Sequence, residues 1–210
     1  MRPTVIEIGR IYCQLMEEVK ARTETVYELA NDLKQTETEK EFRHNIFVFE
    51  GLYLQLRKIC ELLALSALLI HNCDDLESPI GKMDEYAADK LINIVSKINL
   101  DGFPKPVSVG QTDEENETIY LRDDDYIFDG SDLKTLYRQC GDLMHIGTLS
   151  EILRVKQREV NQDFIIEWSL KIIKGLGTHA IGFPDGKRYL FVVMATPDDS
   201  KVTCRLLTKE

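Results

Sequence analysis

Arg138 and His145 stand seven positions apart in the segment LYRQCGDLMHIG, residues 136–147. An arginine presents a fixed fork of donors to a phosphate or another oxyanion, and a histidine changes charge near neutral pH. In a helix, seven residues turn about 700°, roughly 20° short of two full turns. The two side chains would then share a face, about 10 Å apart along the axis. Asp142 lies four positions after Arg138 and belongs to the same face. Gly141 interrupts the segment, costing a helix about 1 kcal/mol relative to alanine, and a glycine there marks the close approach of another backbone. Such a set can bind an anion and move a proton. It also reads as a surface ion pair between Arg138 and Asp142, with His145 capping the helix near Gly147.

A second charged pair, Arg57 and Glu61, sits at i and i+4 in RKICELLAL, within the most apolar helical stretch of the chain. It reads either as a weak intrahelical ion pair or as a polar anchor beside a site. If Arg57 pairs with the helix that carries Arg138, the two segments meet at one location.

Other patterns carry less. Gly175 and Gly177 follow a helix and precede strands, the reverse of a dinucleotide fingerprint, and so read as helix termination. No P-loop pattern is present. Asp123–Asp125 are three adjacent carboxylates without the spacing of a known oxygen-ligand site, and they read as facing water. Asn116 begins a glycosylation sequon that has meaning only in a secreted chain. The five cysteines contain no C-x-x-C pair and read as free thiols, mostly buried. Neither a metal nor a cofactor is expected.

The 210 residues carry a net charge of −10, with 43% hydrophobic and 30% charged residues. That balance fits a folded, cored protein and argues against duplex binding through a broad basic face. A small basic pocket remains compatible with it. The apolar run LLALSALLI is too short to cross a bilayer, and the N-terminus shows no apolar signal core, so no membrane association and a cytoplasmic location are expected.

These residues must be positioned by a mainly α fold. Apolar steps of three and four predict a helix over the first 33 residues, with Val5, Ile8, Tyr12, Leu15, Val19, Val26, Leu29 and Leu33 as its stripe. A second helix is predicted from about Glu39 to Ile70, with its last three turns apolar almost all round and His71 and Asn72 in its cap. A third opens at Ser78 and Pro79 and ends at Leu100. A fourth, capped by Asp129, Ser131 or Asp132, carries the Arg138 segment. A fifth starts at about Leu149 or later and ends at Leu176. Residues 101–130 form a hairpin or irregular insertion. The tail, 177–210, holds three strand-like runs separated by PDGK and TPDDSK turns. The expected architecture is a bundle of about five helices over 1–176, with a small C-terminal antiparallel β-meander packed on it.

A helical bundle carrying Arg138-QCGDLM-His145 on a late helix resembles the HEPN superfamily, whose motif is Arg, four to six residues, then His. The segments YLQLRKICELLALSALLIHN, EYAADKLINIV and YRQCGDLMHIG, in this order, also look like bacterial proteins of that group. The resemblance spans roughly residues 40–175. It implies a homodimer in which two Arg–His faces form a cleft, and metal-independent cleavage of single-stranded RNA in a toxin–antitoxin or phage-defence system. Arg138 and His145 would be catalytic, with Asp142, Arg57 and Glu61 supporting them. A cognate antitoxin would be a partner. The same resemblance also covers non-catalytic interaction or ligand-binding modules. Gln139 stands where cleaving members often carry Asn, Asp or His, and the strand-like tail lies outside the shared pattern.

Overall fold

The computed structural model describes residues 2–33, 39–76, 87–111, 117–121, 129–144, 161–195 and 200–209. In chain order these form α1 (Val5–Asp32), α2 (Glu39–Ile70), α3 (Ala88–Ile98), β1 (Lys105–Gln111), β2 (Glu117–Leu121), α4 (Gly130–Met144), α5 (Gln162–Leu176), β3 (Thr178–Gly182), β4 (Arg188–Val193) and β5 (Thr203–Thr208). The fold is mainly α, with a small antiparallel sheet. His145, Gly147, the Ser78–Pro79 helix start, Asp123–Asp125 and Asn116 lie outside the described residues.

Thr4 starts α1 through a reciprocal cap: its hydroxyl accepts from the Glu7 amide, and the Glu7 carboxylate accepts from the Thr4 amide. The buried stripe is Ile8, Tyr12, Met16, Val19, Thr23, Val26 and Ala30. Val5, Leu15 and Leu33 of the expected stripe are half-buried and pack against the same core, but Leu29 is 45% exposed, which corrects the stripe at that position. The 3.6-residue period turns Ala30 to the core in place of Leu29, and Met16 joins Leu15 there.

α2 is central, with α1, α3, α4 and α5 all packed against it. Leu56, Ile59, Cys60, Leu63, Ala64, Ala67 and Ile70 are fully buried. Beyond it, α3 begins at Ala88, directly after Ala87 in an extended conformation (φ −78°, ψ 104°). Of the three candidate caps of α4, Asp129 takes the role: its Oδ1 accepts from the amides of Ser131 (2.8 Å) and Asp132 (3.0 Å). Asn161 caps α5, accepting from the Phe164 amide at 3.0 Å.

The strand order is β2-β1-β3-β4-β5, all antiparallel, so the 101–130 insertion and the C-terminal meander build one sheet. Ile181, Leu190 and Val192 face the helices and join the main core. Val107, Ala180 and Phe191 form a separate small cluster on the opposite face. β3 and β4 are joined by the PDGK turn, in which Gly186 adopts a left-handed φ of 67°.

Two buried imidazoles join helices to sheet. His71 Nδ1 lies 2.7 Å from the Ala67 carbonyl at the end of α2, and its Nε2 lies 3.1 Å from the Asn99 amide nitrogen. Asn99 Nδ2 can only donate, so Nε2 accepts and the His71 proton sits on Nδ1. The same Asn99 nitrogen donates to the Gly182 carbonyl of β3 at 2.9 Å. Near Gly102, an added Cβ would fall 2.7 Å from Val95 Cγ1 and 2.8 Å from His71 Cε1, so only glycine lets this turn close over the imidazole. His179 on β3 donates from Nδ1 to the Leu176 carbonyl (2.7 Å), and Tyr12 on α1 donates to its Nε2 (3.0 Å). Tyr12 and His179 are fully buried.

Burial holds His179 neutral, lowering its pKa to about 4, and lowers His71 in the same direction. Because the folded pKa lies below the unfolded value of about 6.5, the contribution is complete above pH 6.5 and is lost as pH falls towards 4. Asp75, Asp101 and Asp185 have lowered values, so their contributions fade only further into acid. Urea unfolding at pH 7 and pH 4.5 should therefore show a loss on the order of 2 kcal/mol from His179. In His179→Gln the loss over this window should be smaller by a similar amount. An unchanged slope in that variant would contradict the assignment.

Candidate functional site

The face of α4 that carries Arg138 opens into a groove of about 430 Å³ between α2, α3 and α4. Lys134, Tyr137, Arg138 and Gly141 follow one another at steps of three, one and three, which places them on one side of the helix. Asp89 and Asn93, at i and i+4 of α3, form the facing wall, and Arg57 of α2 closes the third side. Lys134 is anchored by donating from Nζ to Asn93 Oδ1 at 2.8 Å. Three cations and two carboxylates, Asp89 and Asp142, thus line the groove, with the Glu61 carboxylate beside Arg57 as a third, on a chain of net charge −10.

Arg57 is the most constrained of the three cations. Its Nε lies 3.6 Å from Glu61 Oε1, its Nη2 donates to the Tyr137 hydroxyl at 2.6 Å, and its guanidinium carbon sits 4.0 Å from the Tyr137 ring centroid. A pair of this kind, roughly a quarter exposed on each side, contributes about 0.5 kcal/mol, and the ring contact a comparable amount. Burial raises the Tyr137 pKa, so the hydroxyl stays protonated.

Gly141 explains how Arg57 reaches α4. An added Cβ would fall 2.7 Å from Arg57 Nη1, so the missing side chain leaves room for a guanidinium. The neighbour is a side chain and not the backbone that a mid-helix glycine suggests. Arg138 and Asp142 are both exposed, and among the described residues no ion pair joins them. Cys140, between Arg138 and His145, is fully buried and its thiol is pushed up to about 12 by burial, so it is neutral packing and no nucleophile. All five cysteines are free.

The structure therefore brings Arg57, Arg138 and Asp142 to one groove, with Glu61 paired to Arg57 beside it, while His145 lies outside the described residues. Lys134, Tyr137, Asp89 and Asn93 were not singled out in the sequence. Lys134 and Tyr137 carried a usable signal, since they precede Arg138 and Gly141 on the same helical face. Asp89 and Asn93 carried none, because nothing local to α3 tells which of its polar residues meets α4.

One further cluster has metal-ligand residue types. Cys73, Asp74 and Asp75 bring ligand atoms within 4.8 Å of one another. Arg188 engages both oxygens of Asp75, at 2.5 and 3.1 Å, and also Asp185, so the cluster acts as a clamp between the α2 terminus and the β3–β4 turn. Among the described residues, no helix is long and apolar enough to cross a membrane.

No known family, curated protein or solved structure matches the chain.

Gly141→Ala tests the seat of Arg57. Alanine is favoured in a helix interior by about 1 kcal/mol, but here it displaces the guanidinium. In a double-mutant cycle followed by urea unfolding, Gly141→Ala should stabilise the Arg57→Ala background by that amount and wild type by clearly less. Equal effects in both backgrounds would mean that Arg57 does not occupy the space above Gly141.

Proposed function

We propose that this chain is a HEPN-like ribonuclease that cleaves single-stranded RNA without a metal, acting as a homodimer in the cytoplasm. The observation that carries the reading is the gathering of Arg57 of α2 with Lys134 and Arg138 of α4 around one groove. The ribose 2′-OH attacks the adjacent phosphorus, forming a 2′,3′-cyclic phosphate and expelling the 5′-oxygen. His145 takes the 2′ proton, and a proton is returned to the leaving 5′-oxygen. Arg138, exposed and with no ion pair among the described residues, binds the phosphate oxygens as charge builds on them. Arg57 and Lys134 hold neighbouring phosphates. The acidic remainder of the surface restricts access to a flexible strand that reaches a local pocket. A second copy, with its twofold axis near His145, supplies the other wall of the cleft. A toxin–antitoxin or phage-defence role follows from such an activity, with a cognate antitoxin as partner.

A second reading, a non-catalytic interaction module, is favoured by one observation: Arg57 is already engaged by Glu61 and Tyr137, which limits what it offers a ligand. Gln139 points the same way. Recovery of a stoichiometric protein partner from the native host, together with no RNase activity, is the outcome it requires.

Incubating the protein with single-stranded RNA in EDTA separates the two. Wild type should leave cyclic-phosphate ends, and His145→Ala and Arg138→Ala should each slow cleavage by roughly 100-fold or more. Equal residual cleavage in wild type and His145→Ala removes the catalytic reading. Light scattering at micromolar concentration should give a dimer, and a monomer would remove the two-sided cleft.

A further inference from the structure

A second cavity, of about 320 Å³, opens on the sheet face turned away from the helices. Its apolar floor is Val107, Ala180 and Leu207, from β1, β3 and β5. Its rim is polar and already partly organised. Tyr189 donates from its hydroxyl to Asp101 Oδ2 at 2.9 Å, and Lys105 donates from Nζ to Asp101 Oδ1 at 2.5 Å. The Lys105 ammonium, followed by the Tyr189 hydroxyl and Lys209, holds the Asp101 carboxyl below the usual carboxylate range.

The strand register makes this arrangement possible. Lys105 lies opposite Ala180, while Gly182, Tyr189 and Leu207 form the next row across β3, β4 and β5. A Cβ on Gly182 would fall 2.7 Å from Asp101 Cβ and 3.1 Å from Tyr189 Cε1, so glycine there lets Asp101 lie against the sheet.

The charged groups of the rim keep more free donors than acceptors, since Asp101 has about two lone pairs left. Both Asp101 oxygens are engaged, whereas Lys105 keeps two N–H groups and Lys209 three. Among the described residues Lys209 has no ion pair, and two ammonium groups face one carboxylate. A site with an apolar floor and surplus cationic donors at one edge is complementary to an anion with an apolar body. The volume lies at the small end of ligand sites.

We propose that this cavity binds a small carboxylate on a compact apolar body, its carboxylate between the Lys105 and Lys209 ammonium groups and its body on Val107, Ala180 and Leu207. This site is separate from the groove, which is lined by the first half of α3, whereas Asp101 follows the end of that helix. It does not rest on the ribonuclease reading.

The probes are 3-phenylpropionate, its neutral amide and acetate, titrated at millimolar concentration against the full-length protein and followed by NMR shifts of the β1, β3 and β5 amides. 3-Phenylpropionate should bind, the amide should bind at least about fivefold more weakly, and acetate should not saturate. Lys209→Gln, an exposed change outside the core, should weaken 3-phenylpropionate by about fivefold. Leu207→Thr keeps a strand-forming residue while removing part of the floor, and it should weaken both phenyl compounds alike. Equal binding of acid and amide, unchanged affinity in a folded Lys209→Gln protein, or no shifts at the cavity would each overturn the proposal. Arg57→Ala serves as the control and should leave 3-phenylpropionate binding unchanged. An equal loss in that variant would place the probe in the groove and overturn the assignment to the sheet.

Discussion

The attachment of the sheet to the helices depends on keeping two buried imidazoles neutral and fully hydrogen-bonded. A charged histidine in the interior would carry a desolvation cost that no carboxylate among the described residues is placed to offset. His71 and His179 avoid this by donating to helix-end carbonyls and accepting from Asn99 and Tyr12. Each bond also satisfies a group that helix termination leaves open, so the same atoms finish α2 and α5 and hold β3 in place. The Asn99–Gly182 and Asp101–Gly182 contacts then extend this junction to the backbone of β3.

Much of the secondary structure was legible because its signals are local. The three C-terminal strands, the PDGK turn and the central position of α2 follow from apolar periodicity and turn chemistry. The α1 stripe differs at Leu29, where hydrophobicity favours the leucine but helix geometry turns Ala30 to the core. The helix expected to run on to Leu100 ends at Ile98, because Asn99 leaves the helix in an extended conformation and turns to His71 and Gly182. The pairing of β1 with β3 was illegible, since a register between residues 105–106 and 179–180 leaves no mark in either segment alone.

The candidate site divides in the same way. Arg138, Asp142, Arg57 and Glu61 could be singled out because each lies at a helical step from a complementary partner. That Arg57 would settle over Gly141 and Tyr137 needed the packing of α2 against α4. The glycine was visible as a cost to the helix, and the structure gives the cause as a guanidinium seated on its face. A local defect in one helix thus marks the position of a charge carried by another.

The sheet has an uneven build. β1 meets β2 over five register pairs and β3 meets β4 over five, but β1 meets β3 over only two, one of which is Pro106, which has no N–H to donate. In mechanical terms it is two stiff plates joined along a narrow seam. The ladder contributes little rigidity there, so the angle between the plates is set mainly by what crosses beside it, chiefly the Asn99–Asp101 turn bound to Gly182. A bending load on the sheet would concentrate at residues 99–106 and leave the faces of the two plates undistorted.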